Sequence, residues 1–252
     1  MSDVKNDTSL GDASLVSYWE LEEASGTRVD SHSTNNLTDI NTVTQDTSGI
    51  QGNAAKFTAV NSEYLEITNA SQTGLDVTTD FSISLWVKLT TLPSVDNELV
   101  NKAFGTGDSG YRLFMTNDNK LRLYYWNATA DTTDISASAF FVSADVGNWV
   151  HILVTVNLTG SIIMYRNGAS VSITADTARA TTILAATNPF RLGSHHGPGA
   201  YLNGALDEVG LWTKILTPSD VATLYNGGIG IPYDASGGGT PTVRRGALML
   251  GA

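Results

Sequence analysis

The stretch YLNGALDEVGLWTKILTPSDVATLYNGG, Tyr201 to Gly228, changes hydrophobic period in its middle, and that change decides the reading of the fold. In Leu206–Trp212 the apolar Leu206, Val209, Leu211 and Trp212 are interrupted by Asp207 and Glu208. That is the mark of a strand with one core face and one wetter face. The following residues carry helix signals: Thr217 as N-cap, Pro218 in the first turn, Asp220 near the N-terminus, and Asn226-Gly227-Gly228 as a stop. A strand tightly linked to one short helix is therefore expected near the C-terminal end of a strand-rich chain.

Working outward, strand signals recur from Leu15 to Trp212, among them LVSYWEL, FSISLWVKL, KLRLYYW, WVHILVTVN and SIIMYRN. About a dozen short strands fit a two-sheet sandwich. In FSISLWVKL, Phe81, Ile83, Leu85, Val87 and Leu89 share one face, which leaves Trp86 among polar residues on the other. The segments MTNDNKLRL and MYRNGASVSI place turn residues between alternating runs, and Asn167-Gly168 suits a type I′ hairpin. Antiparallel neighbours follow. No repeat of 20–50 residues is evident in the sequence, which disfavours a propeller or solenoid.

The chain has 252 residues with 41% hydrophobic content, enough for one sizeable core. Its formal net charge of −11 argues against a nucleic-acid partner, for which clustered Lys and Arg would be needed. The absence of cysteine removes disulfides, thiolate metal sites and thiol nucleophiles together. The opening MSDVKNDTSLGDAS has neither the basic nor the apolar region of a signal peptide, and no apolar run is long enough for membrane insertion. Three regions are expected: a polar N-terminal arm over residues 1–12, one β-domain over 13–231, and a Gly-rich linker with a basic-apolar tail over 232–252. In that tail Arg244, Arg245, Leu248, Met249 and Leu250 could add to a neighbouring sheet or dock on an assembly partner.

In content and order, LVSYWELEEASGTRVDSHSTNNL, GIQGNAAKFT, FSISLWVKL, GNWVHILVTVN, IIMYRNGASV, PFRLGS and the strand–helix stretch resemble laminin-G-like, concanavalin A-like jelly rolls over about Ala13 to Asn226. The fold class implied is all-β: a two-sheet antiparallel jelly-roll sandwich with one short C-terminal helix. The resemblance also implies a structural calcium ion where the first strand meets the last. Asp30 and Asp207 match that position best, with Glu20 and Asn36 beside them and Asn35 as a further oxygen donor. Calcium takes six to eight hard oxygen ligands, which these residues can supply.

Saccharides are bound by aromatic faces and planar polar groups, usually on shallow surfaces. Tyr111, Arg112, Tyr124, Trp126, His195, His196 and Tyr201 offer that chemistry. Alternation in KLRLYYWNA sets Arg122, Tyr124 and Trp126 on the face opposite Leu121, Leu123 and Tyr125. Some jelly rolls of this kind are glycoside hydrolases that use paired carboxylates. Glu20 and Glu22 lie at i,i+2, but the Glu-x-Asp-x-x-Glu strand of one large hydrolase group is absent, as are serine-elbow, zinc-helix and phosphate-loop motifs.

The sequence thus predicts a non-catalytic recognition or adhesion module on an extracellular, cell-surface or virion surface. Its expected partner is a glycan or surface polysaccharide. The alternatives are a structural or decoration protein of a virion or cell-surface assembly, and a glycoside hydrolase.

Overall fold

The computed structural model describes residues 2–103, 109–127, 131–175, 179–197 and 199–235. The strands in chain order are β1 (Leu15–Trp19), β2 (Thr38–Ile40), β3 (Thr44–Asp46), β4 (Ala54–Phe57), β5 (Tyr64–Ile67), β6 (Phe81–Leu89), β7 (Asn97–Asn101) and β8 (Gly110–Met115). They continue with β9 (Leu121–Trp126), β10 (Asp131–Ser136), β11 (Trp149–Val156), β12 (Ile162–Arg166), β13 (Ala169–Val171), β14 (Ile173–Thr174), β15 (Phe190–Leu192) and β16 (Gly204–Trp212). The α-helix α1 (Pro218–Tyr225) follows directly.

Two eight-stranded antiparallel sheets face each other. The first runs β13-β12-β11-β6-β16-β4-β3, with β1 also paired to β16, and the second runs β14-β10-β9-β8-β7-β15-β5-β2. Between them lies one core, to which Ile83, Leu85, Val87, Ile152, Val154 and Leu206 contribute from the first sheet and Leu65, Leu113, Leu123, Tyr125 and Leu192 from the second. The Asn167-Gly168 turn has both residues at positive φ, 51° and 79°, as a type I′ hairpin requires. Helix α1 begins with a reciprocal capping box between Thr217 and Asp220 and ends on Asn226 in the left-handed region.

The strand that opens the sequence argument departs from its expected wet face, because all nine residues of β16 are buried. Its register against β6 shifts between Asp207 and Gly210, and Glu208 stands at φ 50°. This bulge changes the phase of the strand. Leu206, Val209 and Leu211 enter the core, while Trp212 joins a second cluster on the far side of the sheet. At the same point β16 exchanges neighbours, pairing β4 through Gly204–Leu206 and β1 through Val209–Trp212.

The outward face of the first sheet is dry because a third layer covers it. Tyr18, Leu153, Tyr165 and Trp212 pack there against Val221 and Leu224 of α1, against Ile231 and Tyr233, and against Val4 and Leu10. Residues 2–12, expected as a polar arm, and residues 232–235, expected as linker, are therefore part of the fold. Their contacts explain the difference: the amides of Val4 and Lys5 donate to the carbonyls of Pro232 and Tyr233 at 3.0 and 2.9 Å. The Trp212 indole donates to the Leu10 carbonyl at 2.7 Å. Trp86, out of place in its strand by pattern, stacks on Tyr225 of α1 at 5.8 Å and lies 4.9 Å from the His151 ring. Burial lowers the His151 pKa to about 3, so its imidazole is neutral, held at 2.9 Å from the Ser84 hydroxyl.

Candidate functional site

The outward face of the second sheet has no such cover among the described residues. Its strands alternate aliphatic or aromatic core residues with long polar ones. Cross-strand register sets Glu66, Arg191, Asn101, Arg112, Tyr124 and Thr133 in one row. A second row runs Glu98, Phe114, Arg122 and Ile135.

The guanidinium groups of this face are held flat. Arg112 lies 4.4 Å above the Phe114 ring while its Nε and Nη2 donate to both oxygens of Glu98, at 2.6 and 3.0 Å. Glu98 is fully buried, and the Asn101 amide donates to it as well, at 2.8 Å. Burial raises the Glu98 pKa, and the Arg112 partner opposes that shift. Arg122, directly opposite Phe114, stands 5.6 Å from the same ring. Arg191 repeats the arrangement with other partners: it lies 4.5 Å over Tyr64, binds Glu66 at 2.6 Å, and donates to the His195 carbonyl at 2.9 Å. Stacked on a ring and forked onto a carboxylate, such a group loses little further freedom when a ligand arrives.

The strip continues into a cleft. Tyr64 stacks on Tyr201 at 6.4 Å. Tyr201, Asn97, Asn203, Thr91, Ser94 and exposed Val60 and Val95 line an open depression of about 350 Å³. Aromatic and amide groups around a shallow depression suit a flat ligand with many hydroxyls.

The expected ligand-binding residues divide on this geometry. Arg112, Tyr124 and Trp126 lie on the open face, and Tyr201 lines the cleft at its end. Tyr124 is only 8% exposed. Tyr111 belongs to the core: fully buried, it packs on Phe81 at 5.2 Å and donates its hydroxyl to the Leu75 carbonyl at 3.0 Å. The alternation of β8 requires this, since Leu113 and Met115 share its face. His195 and His196 turn apart, with the Gly197 amide donating to His195 Nδ1 at 2.8 Å and His196 Nε2 placed 2.9 Å from the Pro189 carbonyl. Burial lowers the His196 pKa to about 4, with Arg191 adding to the shift. Phe114, Arg191 and Tyr64, which hold the strip together, were not singled out from the sequence. The signal available was the alternation of GYRLFM and PFRLGS, which puts each arginine on the face opposite its aliphatic neighbours.

The expected calcium ligands are spread over separate hydrogen-bond systems. Asp30 accepts four backbone N–H groups, from Tyr18, His32, Ser33 and Asn35, at 3.0 to 3.1 Å. Asn36 Oδ1 accepts the Asp30 amide at 2.9 Å. Asp207, fully buried, accepts the amides of Ile50, Gln51 and Glu208 at 2.6, 3.3 and 3.0 Å. The Gly49–Gly52 bend thus serves to present amides to Asp207, and a Cβ on Gly49 would fall 2.2 Å from the Asn53 carbonyl oxygen. Glu20 accepts the Ser31 hydroxyl at 2.6 Å. Among the described residues no group of three or more His, Cys, Asp or Glu converges to hold a metal ion, so the foursome Glu20, Asp30, Asn36 and Asp207 does not form one ligand sphere.

Glu208 behaves differently. It is 3% exposed, and the Tyr18 hydroxyl is the side-chain donor that opposes the effect of its burial. Burial, and then the charges of Asp207 and Glu20, push its pKa well above the ordinary carboxylate range. Glu20 and Glu22 are raised too, chiefly by burial. Asp207 and Glu208 lie on β16 of the first sheet, and Glu20 and Glu22 on the segment that leaves β1. The tail residues Arg244, Arg245, Leu248, Met249 and Leu250 lie outside the described residues. Among the described residues no helix is long and apolar enough to cross a membrane.

The fold recurs in known proteins. Domain 4 of AbnA, a GH43 extracellular arabinanase from Geobacillus stearothermophilus solved with arabinotriose, is 18% identical with a TM-score of 0.61, covering 82% of this chain and 96% of that one. The binding domain of Paraclostridial Mosquitocidal Protein 1 is 18% identical with a TM-score of 0.64, covering 84% of this chain and 52% of that one. The adhesion G-protein coupled receptor V1 of Danio rerio is 27% identical over 153 residues, which make up 58% of this chain and 2% of the receptor. The chain therefore spans only a small part of that relative and about half of the mosquitocidal domain. Residues 59–222 match the Laminin_G_3 family model, described as the concanavalin A-like lectin/glucanases superfamily, and with the two-sheet architecture this places the chain in that family.

Proposed function

We propose that this chain is a non-catalytic recognition module of an exterior surface that binds saccharide along the open face of its second sheet and into the adjoining cleft. The observation that carries the reading is the row of guanidinium groups locked on aromatic rings and on Glu98 and Glu66, continuous through Tyr64 with Tyr201. Planar donors, carboxylate acceptors and ring faces at fixed spacing meet the hydroxyls and C–H faces of a sugar. The arabinotriose bound to the AbnA domain supports the ligand class for a body of this shape. A shallow site of this kind binds weakly, and many linked copies supply the avidity.

We also propose that calcium, where it binds, is drawn to the buried carboxylate of Glu208 rather than to Asp30 and Asn36, with Asp207, Glu20 and Glu22 contributing their charge and not a common ligand sphere. Support comes from the burial of Glu208 among the charges of Asp207, Glu20 and Glu22 and from the preference of calcium for oxygen ligands.

The test is a glycan array probed with the protein displayed multivalently, with calcium and with chelator. Reproducible binding to one saccharide class, weakened by Tyr201→Ala and Arg191→Ala, is the expected result. A folded protein that stays silent across the array would end the saccharide reading.

A further inference from the structure

We infer that the saccharide recognised on this face is an acidic one, bearing carboxylate or sulfate, and that Arg122 is the group that reads its charge; the inference rests on the saccharide reading above. The argument is one of charge balance. Arg112 is neutralised by Glu98 and Arg191 by Glu66, each through a contact of 2.6 Å. Lys120, two positions from Arg122 along the same strand edge, is paired with Asp118 at 3.2 Å. Arg122 has no such partner: among the described residues it makes no ion pair, and its Nε, withdrawn from solvent, has no hydrogen-bond partner. This occurs in a chain with 25 acidic and 14 basic residues, where carboxylates are the commoner charge.

The position suits recognition. Arg122 stands between Phe114 and Ile135 across the sheet, with Tyr124 two residues along on the same face. Phe114 lies 5.6 Å beneath its guanidinium and is itself only 4% exposed, fixed from the other side by Arg112 and its buried Glu98. A guanidinium held on a ring presents the planar fork of its two terminal nitrogens, and the acceptors that fill a fork with two parallel bonds are carboxylates and sulfates. A neutral sugar offers hydroxyls alone and leaves the charge unmatched. The open surface around it admits a residue within a longer polymer as readily as a chain end.

The experiment presents the full chain, displayed multivalently, with matched pairs: polygalacturonate and galactan, sialyllactose and lactose, dextran sulfate and dextran. The inference expects at least one charged member to bind about tenfold or more tightly than its neutral counterpart, the worth of one charge-assisted contact, with the preference shrinking as salt is raised. Arg122→Gln should bring the affinity for the charged member down to that of the neutral one, at an unchanged melting temperature. Arg122→Lys, a point charge without the fork, should restore part of the preference. Equal binding within every pair, or a preference that survives Arg122→Gln, overturns the inference and leaves the saccharide reading standing. Silence on all six probes overturns both.

Discussion

The two outward faces of the sandwich are built by the same strand geometry and end in opposite states. On the first sheet the outward positions carry Tyr18, Trp86, Leu153, Tyr165 and Trp212, and helix α1 with Val4, Leu10, Ile231 and Tyr233 covers them. On the second sheet they carry Glu66, Glu98, Arg112, Arg122 and Arg191, and among the described residues no second apolar cluster packs over them. Apolar area left toward water is worth covering with extra chain, since its burial gains about 25 cal/mol per Å². Ion pairs stacked on single rings hold their rings dry without any cover. The first face is therefore a second core, and the second face is built of ion pairs and rings.

The comparison can be broken most strongly on the covered side. Trp212→Ala removes the ring on which Tyr18 packs edge-on at 6.2 Å and the indole donor to Leu10. A loss of about 3–5 kcal/mol is expected in urea unfolding. A loss under about 1 kcal/mol would show that the third layer is an ornament of the sandwich and not a core.

On the second sheet the largest effect comes from the buried charge of Glu98. Arg112→Ala strands fully buried Glu98, and about 3 kcal/mol should be lost at pH 7. The loss should shrink in acid, where Glu98 can take a proton. A pH-independent loss would mean that packing on Phe114, and not charge, is what Arg112 supplies.

The smallest effect sharpens the comparison at the junction of β1, β4 and β16. The pKa values of Asp207 and Glu208 are raised in the folded protein, first by burial and then, for Glu208, by the neighbouring charge. The folded state therefore holds protons that the unfolded chain has released. Stability from these groups is complete below the unfolded values near pH 4 and is lost as pH rises through the folded ones. In chelator the melting temperature should fall from acid toward neutral pH, and Glu208→Gln should flatten the fall. At pH 7 that variant should gain about 1 kcal/mol, or roughly 2–4 °C in a domain of this size. Calcium should raise the melting temperature of the parent and not of Glu208→Gln. A parent indifferent to both calcium and chelator would remove the metal from the account.

Much of this architecture was legible in the chain. The helix after β16 could be read from Thr217, Pro218, Asp220 and Asn226, because capping is a local hydrogen-bond matter. The Asn167-Gly168 hairpin was legible for the same reason. The third layer was not, since Val4 and Leu10 look like isolated apolar residues in a polar arm until Trp212 and Tyr233 are brought to them. The site was legible by halves. Alternation placed Arg122, Tyr124 and Trp126 on the outward face, yet side-chain chemistry alone put Tyr111 with them, although its strand phase sends it to the core.

What the sequence determined by itself, then, is the period of each strand, the turns between them and the short capped helix, because each depends on residues within a few positions of one another. Tertiary structure alone decided that an apolar layer covers one sheet face and, among the described residues, not the other, that Asp207 binds amides of a distant loop, that Glu208 is buried among other carboxylates, and that Arg122 makes no ion pair among the described residues. Those outcomes depend on what lies across the fold, where a side chain meets groups more than a hundred residues away in the chain, as Asp207 meets Ile50.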